Sequence, residues 1–361
     1  MFKDVIKKYF NEKNILSIKE YGRGHINKTY LITFPEKKYI LQQINSAVFK
    51  NPWGVMKNIE MVTEHLKRKA IFEGKNPNRV VLNIIRTVQN QDIVTIGSNF
   101  FRCYEFIEGG KTFEEVSSPE IYYEVGRAVG EFQRLLMDFP IEMLFETIPD
   151  FHNTPKRFKD FKEIVEIDPA NRVESCQSEI DFITKRENVM LIITDMLENK
   201  TIPYRVTHND TKLNNVMICE NTHKSLCLID FDTVMPGSVL YDYGDALRIG
   251  ASLAAEDEVD LDKVKIDFNL FETFTKGFLS EAKDILNEVE LENLVNGYKI
   301  IALELGMRFL HDHIAGDHYF RVHRINHNLE RARNQLRLVE EIEKNQDKLE
   351  KIVLKHIKKS K

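Results

Sequence analysis

The feature that most constrains the fold is a change in hydrophobic periodicity near residue 107. Before it, short β-rich runs dominate, with one long helical pattern from about residue 52 to 69. After it, apolar residues recur at steps of three and four, which is typical of amphipathic helices. This change predicts an α+β protein with a small β-rich N-lobe over residues 1–107 and a larger, mainly helical C-lobe over residues 108–361.

The same patterns predict the individual elements. We expect strands at 15–21, 29–34, 38–44, 80–85, 100–106, 204–207 and 225–230. We expect further helices at about 155–166, 178–198, 263–284, 289–313 and 326–357.

Composition excludes several classes of protein. With 361 residues, 42% apolar content and a net charge of -5, the chain can bury one or two cores and is not an evident nucleic-acid binder. Neither a secretory signal nor an apolar run of about 18 residues is found, so we expect a cytoplasmic protein without membrane contact. The four cysteines lack paired spacing, which argues against a zinc site or a disulfide framework. A monomer is favoured.

The most informative motif is the segment VTHNDTKLNNVM at residues 206–217. It contains His208, Asp210 and Asn215 in the pattern HxDxxxxN, directly after a predicted strand. Such a loop can aim a carboxylate at an acceptor hydroxyl and an amide oxygen at a metal ion. The triplet alone should occur by chance in roughly one chain in twenty of this length, so it needs other motifs beside it.

A second motif, LCLIDFDTVMPG at residues 226–237, ends a predicted strand on Asp230. This residue follows Asn215 by fifteen positions, a spacing that suits a short hairpin returning both side chains to one metal. Magnesium prefers oxygen ligands and keeps waters and substrate phosphates in its shell, so two protein ligands suffice. Asp232 is a weaker candidate for a second ion. The alternative for an aspartate at a strand end is simple turn initiation.

A third motif, YGRGHINKTYLI at residues 21–32, lies at the first predicted hairpin. Gly22 and Gly24 would allow backbone N–H groups to approach a phosphate closely, and Asn27 tolerates unusual backbone angles. An ordinary two-glycine hairpin is the alternative.

The ordered set GRGHIN, YILQQIN, YEFIEGG, HNDTKLNN and IDFDTVMPGSVLYDYGDALR resembles the aminoglycoside phosphotransferase and choline kinase family. That family has a bilobal protein-kinase-like fold. Further stretches, among them NPWGVMKNIEMVTEHL and ELGMRFLHDHIAGDHYF, resemble its N-acetylhexosamine 1-kinases. The resemblance extends from about residue 15 to 343.

The resemblance implies roles for the catalytic residues. Asp210 matches the catalytic base that takes the proton of an anomeric hydroxyl. Asn215 and Asp230 match magnesium ligands that bridge the phosphates of ATP. Asp242 matches an aspartate that supports the catalytic loop, although an ordinary helix N-cap is an alternative at this position.

The resemblance also implies binding residues. ATP is expected between the lobes, with adenine near the backbone of Glu105 and Ile107. His25, Arg308 and Asp312 match positions of the sugar and phosphate site. A turn histidine at 25 and an ion-pairing arginine at 308 are the alternatives.

One position departs from the pattern of kinases. Where a lysine on the third strand contacts the α and β phosphates, this chain carries Gln42. A neutral amide cannot supply that charge, so nucleotide binding would depend more on magnesium, on the glycine-loop N–H groups, or on Lys28 or Arg23.

The sequence therefore predicts an ATP- and magnesium-dependent kinase that phosphorylates the C1 hydroxyl of N-acetylhexosamines to the α-1-phosphate, in amino-sugar salvage. The alternatives are a kinase of another small hydroxyl acceptor, such as another sugar, choline or an aminoglycoside, and a regulatory nucleotide-binding pseudokinase. Choline is the less favoured acceptor, because its cation requires an aromatic cage and the only tryptophan in the sequence, Trp53, lies in the small lobe.

Overall fold

The computed structural model describes residues 2–10, 14–22 and 26–358. The chain forms two compact units. The first unit comprises residues 1–111, 138–149 and 217–236, and the second comprises residues 112–137, 150–216 and 237–361. The lobe boundary expected at residue 107 is continuous in sequence, whereas each of these units is built from three separate segments.

The strands are β1 Ser17–Glu20, β2 Lys28–Thr33, β3 Lys38–Ile44, β4 Ile84–Ile85, β5 Ile93–Ile96, β6 Asn99–Glu105, β7 Gly110–Lys111, β8 Arg205–Thr207, β9 Val216–Cys219, β10 Ser225–Leu228 and β11 Met235–Gly237. The helices are α1 Phe2–Tyr9, α2 Pro52–Phe72, α3 Pro77–Val80, α4 Pro119–Leu135, α5 Thr154–Ile167, α6 Gln177–Thr184, α7 Glu187–Glu198, α8 Val239–Gly250, α9 Phe268–Ala282, α10 Glu288–Glu292, α11 Leu294–Ala315, α12 His327–Lys344 and α13 Gln346–Ile357.

An antiparallel sheet in the order β1-β2-β3-β6-β4, with β5 also paired to β6, forms the centre of the first unit. Its register places Gln42 of β3 between Thr29 of β2 and Arg102 of β6. One face packs against α1, and Tyr9 donates a hydrogen bond to the Phe101 carbonyl at 2.9 Å. The core on this face consists of the apolar residues Val5, Ile6, Tyr9, Ile32, Leu41, Val94, Phe101 and Cys103.

Helix α2 brings the later segments into the first unit. It begins at Pro52, and the Asn51 side chain caps it by accepting the Gly54 N–H at 3.0 Å. Within the helix, the buried Asn58 amide donates to the carbonyls of Phe145 at 2.7 Å and Val234 at 2.8 Å. One side chain thus binds both segments, 138–149 and 217–236.

The second unit is built around α11, whose residues are almost all buried. Helix α8 packs directly against it where two glycines meet. A Cβ on Gly244 would lie 2.5 Å from the Gly297 carbonyl oxygen, and a Cβ on Gly297 would lie 2.4 Å from that of Leu240. Larger residues would therefore push α8 away, and α8 carries the residues that hold the catalytic loop.

The expected α+β class is confirmed, with a β-sheet in the N-terminal region and helices in the C-terminal region. The strand predicted at 80–85 was too long, since only Ile84–Ile85 forms a strand. The helices predicted at 178–198, 289–313 and 326–357 are each divided, into α6 and α7, α10 and α11, and α12 and α13. Helix α8 was not predicted because it is buried on nearly every side, so it lacks an amphipathic pattern. Within the described residues, no helix is long and apolar enough to cross a membrane.

Candidate active site

The predicted catalytic loop, residues 208–215, follows β8 in the second unit. Asn209 adopts a left-handed conformation with φ of 62°, which asparagine tolerates better than most residues and which turns the chain sharply. The next residue, Asp210, keeps 29% of its side chain exposed, although its neighbours Asn209 and Thr211 are buried. The loop thus presents one carboxylate from a buried backbone.

Two side chains of the same loop contact the Asp210 carboxylate. The Lys212 ammonium lies 3.1 Å from Oδ2, and the Asn215 amide donates to the same oxygen at 2.8 Å. Burial would raise the pKa of Asp210, but the charges of Lys212 and His208 and these hydrogen bonds outweigh it and lower the pKa. Asp210 is therefore ionised at neutral pH.

Asp242 of α8 holds the catalytic loop from beneath. Its carboxylate accepts the backbone N–H groups of His208 at 2.9 Å and Asn209 at 2.7 Å, and the Gln133 amide at 2.8 Å. Burial raises the pKa of Asp242 to about 7 despite these bonds. The N-cap of α8 is Ser238, so the alternative of an N-cap at Asp242 is wrong and the expected support of the loop is confirmed.

A second aspartate of α8 supports the loop on the other side of Asp210. Asp245 accepts the Thr211 N–H at 2.9 Å and forms an ion pair with Arg248 at 3.3 Å. Thr211 in turn donates its hydroxyl to the Asp242 carbonyl at 2.6 Å. The backbone N–H groups of His208, Asn209 and Thr211, on both sides of Asp210, are therefore fixed by two carboxylates of one helix.

The candidate metal ligands lie one in each unit. The Asn215 amide nitrogen faces Asp210, donating to its side chain and its carbonyl, so the amide oxygen points away from that carboxylate and suits a hard cation such as magnesium. Asp230 follows β10 in the first unit and is left-handed, with φ of 65°. Metal binding by these two residues stays a prediction.

Asp232, the weaker metal candidate, is 4% exposed and engaged by other residues of the first unit. It forms an ion pair with the guanidinium of Arg102 and accepts the Asn27 amide at 2.6 Å. Gln42 accepts the Arg102 Nε–H at 2.9 Å and donates to the Thr29 hydroxyl at 3.1 Å. Gln42, which stands where kinases have a phosphate-binding lysine, is thus the hydrogen-bond partner of the buried Arg102.

The glycine motif is described only in part. Gly22 has φ of 78°, which a side chain would strain, so a turn residue without Cβ is required there. Gly24, His25 and Arg23 lie outside the described residues. Lys28 pairs with Gln43 and therefore projects from the sheet face opposite that of Gln42.

The expected adenine contacts lie at the end of β6. The Glu105 N–H is donated to the Asn83 carbonyl at 3.0 Å, so of its two backbone groups the carbonyl is the one that could meet the predicted adenine. The Ile107 carbonyl accepts the Gly110 N–H at 3.4 Å. Adenine binding here stays a prediction.

On α11, Arg308 lies among aromatic rings of the second unit. Its guanidinium is 5.5 Å from the ring centroid of Phe151, 5.9 Å from that of Tyr319 and 5.6 Å from that of Phe320. Only 12% of its side chain is exposed, and the carboxylate of Glu304 lies 4.0 Å away. Arg308 is therefore a largely buried cation inside its own aromatic enclosure.

Glu304 connects this enclosure to the catalytic loop. Its buried carboxylate accepts His152 Nδ1 at 2.9 Å and the Thr154 hydroxyl at 2.6 Å. Burial would raise the pKa of Glu304, but the charge and hydrogen bond of His152 and the nearby arginines lower it to about 2. The His152 ring stacks on Tyr241 at 4.6 Å, and Tyr241 directly precedes Asp242. The arginine and the loop thus share one continuous set of contacts.

Asp312 lies in the last turn of α11 and binds the loop that follows. One oxygen accepts the N–H groups of His318 at 2.9 Å and Tyr319 at 2.8 Å. The other accepts the N–H of Phe320 and the Asn328 amide, each at 2.9 Å. These bonds make Asp312 a support for Tyr319 and Phe320, the two rings beside Arg308. Direct contact of Asp312 with a sugar stays a prediction.

Sequence reasoning missed several residues that complete the site: Arg102, Gln133, His152, Lys212, Asp245 and Glu304. Lys212 and Asp245 lay inside motifs already recognised. A charged residue within the apolar strand FFRCYEF was a usable signal for Arg102, since an arginine there must find partners when buried. The others become visible only when distant segments pack together.

The family model of the phosphotransferase enzyme family, APH, matches residues 17–272. The chain belongs to this family. Its members transfer phosphate to hydroxyl groups, so this protein is a phosphotransferase.

Solved structures with the same fold include a microcompartment-associated aminopropanol kinase, with 16% identity, a TM-score of 0.64, and coverage of 96% of this chain and 98% of that one. An aminoglycoside phosphotransferase from Alicyclobacillus acidocaldarius has 14% identity, a TM-score of 0.63, and coverage of 98% and 96%. Spectinomycin phosphotransferase, in complex with ADP and spectinomycin, has 12% identity, a TM-score of 0.59, and coverage of 94% and 97%. At these identities the likeness concerns the fold of this phosphotransferase and not its acceptor.

Proposed function

We propose that this phosphotransferase transfers the γ-phosphate of magnesium-ATP to the C1 hydroxyl of an N-acetylhexosamine, GlcNAc or GalNAc, and yields the α-1-phosphate. The observation that carries the proposal is the ionised Asp210 carboxylate, presented on a loop whose backbone is fixed by Asp242 and Asp245. The proposal places the enzyme in cytoplasmic amino-sugar salvage.

In this reaction Asp210 accepts a hydrogen bond from the sugar hydroxyl and aligns the oxygen with the phosphorus. Its lowered pKa makes it a weak base, so alignment contributes more than early proton removal. Fixing two reactants can supply an effective molarity of about 10⁵ M or more. A general base typically accelerates the reaction by about 10²- to 10⁴-fold. Because the sugar oxygen attacks phosphorus, the bond from C1 to this oxygen stays intact and the anomeric configuration is kept.

ATP is the proposed donor, and the ADP in the spectinomycin phosphotransferase complex supports a nucleotide in this fold. Asn215 and Asp230 would hold the magnesium, with the amide oxygen of Asn215 oriented away from Asp210. The ion would neutralise the charge on the transferring phosphate. Lys212, within 3.1 Å of Asp210, adds a positive charge on the same loop.

Arg308 supports a neutral acceptor. An ammonium acceptor such as choline needs vacant aromatic faces, but the rings of Phe151, Tyr319 and Phe320 already surround the guanidinium of Arg308. The carboxylate of Glu304, 4.0 Å from Arg308, already binds His152 and Thr154 and lies 3.7 Å from Arg157. A second cation would meet repulsion from Arg308, whereas a sugar could accept hydrogen bonds from its guanidinium.

The regulatory pseudokinase remains the second candidate because Gln42 replaces the phosphate-binding lysine. The retained Asp210 and its hydrogen bonds to Lys212 and Asn215 favour an enzyme. A structural role alone would not explain why this carboxylate keeps 29% of its side chain exposed while its chain neighbours Asn209 and Thr211 are buried.

The test is a panel of acceptors incubated with magnesium-ATP: GlcNAc, GalNAc, glucose, galactose, glucosamine and choline. ADP release is measured, and each product is then heated in dilute acid, which cleaves sugar 1-phosphates and leaves 6-phosphates and phosphocholine intact. We expect acid-labile products from the two N-acetylated sugars and lower rates with the two cationic acceptors. An acid-stable product would disprove the anomeric assignment, and ADP release from none of the acceptors would favour the pseudokinase.

A further inference from the structure

The sheet of the first unit carries a buried positive charge directly opposite Gln42. Antiparallel pairing places Gln42 of β3 beside Arg102 of β6, and the guanidinium of Arg102 is almost inaccessible, at 1% exposure. Burying such a charge is costly unless every part of it is paired. The buried charge of Arg102 therefore depends on the partners that surround it.

The partners of Arg102 form a row across three strands. Thr29 accepts the Gln42 amide at 3.1 Å, and Gln42 accepts the Arg102 Nε–H at 2.9 Å. The far end of the guanidinium forms an ion pair with Asp232. Because Gln42 uses its amide NH₂ on Thr29, its oxygen necessarily faces Arg102 and fixes the orientation of the guanidinium.

Asp232 belongs to the short turn Phe231–Thr233, which begins immediately after the proposed metal ligand Asp230. The second oxygen of Asp232 accepts the Asn27 amide at 2.6 Å, and Asn27 Oδ1 accepts the Asn45 N–H at 3.0 Å. The turn that bears Asp230 is therefore attached to the sheet through Arg102 and to the first hairpin through Asn27.

The other described cation near this position cannot take the same place. Lys28 pairs with Gln43, the residue after Gln42, so its side chain projects from the opposite face of the sheet. Arg102 also lies over the ring of Tyr104 at 5.3 Å, which holds the guanidinium on the Gln42 face.

We propose that Arg102 is the cation that replaces the missing third-strand lysine, acting as a positioning residue that fixes Asp232 and hence the metal-binding turn at Asp230. Gln42 orients Arg102 and does not itself contact phosphate. The inference rests on the nucleotide and magnesium binding in the proposed function, and it is independent of the acceptor.

A lysine at position 42 should consequently be harmful in this protein. Gln42→Lys would remove the acceptor of the Arg102 Nε–H and place two positive charges side by side in a buried region. If Gln42 were simply a degraded phosphate-binding position, the same substitution would tighten nucleotide binding. The two explanations therefore predict opposite signs for one variant.

The experiment is calorimetric titration of ADP, with and without magnesium, into the full chain and into the variants Gln42→Lys, Arg102→Met and the double variant carrying both. We expect Arg102→Met to weaken magnesium-ADP binding by about tenfold or more, as is usual for residues that orient metal ligands, and to change metal-free ADP binding little. Gln42→Lys should also weaken it. The double variant, which moves the cation across one strand pair, should recover part of the loss.

Gln43→Lys is the matched control, since it is the same substitution one residue later, on the opposite face of the sheet. It should leave both titrations unchanged. Unchanged magnesium-ADP affinity in Arg102→Met, an equal loss with and without magnesium, or tighter binding in Gln42→Lys would overturn the inference.

If Arg102→Met does not fold, Arg102→Lys and the double variant decide, because both keep a cation in the row. If either variant binds ADP more tightly with magnesium than without it, the inference is supported. If neither variant does, the inference is overturned. Absence of magnesium-ADP binding in the unmodified protein would instead disprove the proposed nucleotide function.

Discussion

The catalytic loop of the second unit and the turn after β10 in the first unit both present aspartates, and they treat them in opposite ways. The Asp210 carboxylate is 29% exposed, and the bonds that fix its loop come mainly from beneath, through the backbone. The Asp232 carboxylate is 4% exposed and is engaged by Arg102 and Asn27.

This difference separates two uses of a negative charge. In the first region, the carboxylates of Asp242 and Asp245 bind the loop backbone, so that the loop presents the Asp210 carboxylate to a ligand. In the second, the charge of Asp232 is consumed inside the fold to hold a segment in place. Substitution should therefore affect mainly turnover in the first region, and both stability and magnesium-ADP binding in the second.

The largest expected effect is that of Asp210→Asn. Turnover should fall by about 10³-fold or more, since a neutral amide cannot accept the hydroxyl proton. The free energy of unfolding should change by less than about 1 kcal/mol, because the side chain is partly exposed and the backbone bonds remain. Initial rates and urea denaturation measure the two quantities.

Asp284→Asn, at an exposed aspartate of the same unit, is the control and should alter neither quantity. A large loss of stability in Asp210→Asn would contradict the division drawn between the two regions.

The next largest effect is expected for Asp232→Asn. Removing one partner of a buried ion pair leaves Arg102 as an uncompensated charge, which costs about 3–5 kcal/mol. Urea denaturation should show this loss in the absence of any ligand. A change below about 1 kcal/mol would mean that the ion pair is not needed for the fold.

A third expectation concerns pH. Burial raises the pKa of Asp242 from 3.8 to about 7, so the folded protein binds this proton more tightly than the unfolded chain does. The stabilising contribution is complete below pH 3.8 and is lost as the pH rises to about 7. Asp242→Asn cannot titrate.

The unfolding free energy of the unmodified protein, minus that of Asp242→Asn, should therefore decrease between pH 4 and pH 7. Denaturation curves at several pH values in this interval measure the difference. A constant or increasing difference would show that hydrogen bonds from His208, Asn209 and Gln133 outweigh burial.

The smallest effect is expected for Thr211→Val. It removes the 2.6 Å hydrogen bond to the Asp242 carbonyl while keeping the shape of the side chain. The loss of unfolding free energy should be about 1 kcal/mol, and turnover should fall by less than about tenfold. A greater loss in turnover than in stability would show that this bond positions Asp210 specifically.

The sequence predicted the regular parts of the fold well, because β2, β3, β6 and α5 carry clear periodicity on one buried face. It failed where burial is complete, as in α8, or where a strand has only two residues, as in β4. It could not foresee that Asn58 binds two distant segments, since such packing depends on tertiary contacts and leaves no local pattern.

The candidate site was predictable to the extent that its residues lie in short motifs. The support of the loop by Asp242 was implied by the family resemblance of the motif YDYGD. The partners of Arg308 and Gln42 did not, because Phe151, Glu304 and Arg102 come from separate elements. Spacing in the chain reveals groups that act within one loop, whereas charge compensation between elements is visible only in three dimensions.

Glu304, Arg308 and Asp312 follow one another at intervals of four residues and so share one side of α11. The first connects to the elements that carry the catalytic loop, the second lies in the aromatic enclosure, and the third binds the segment 318–320. A helix of this length spans about 33 Å and holds these three side chains at fixed separations along its axis. Because the segment 318–320 and the elements that carry the predicted catalytic loop are attached at different turns of α11, replacing that segment should leave the loop in position.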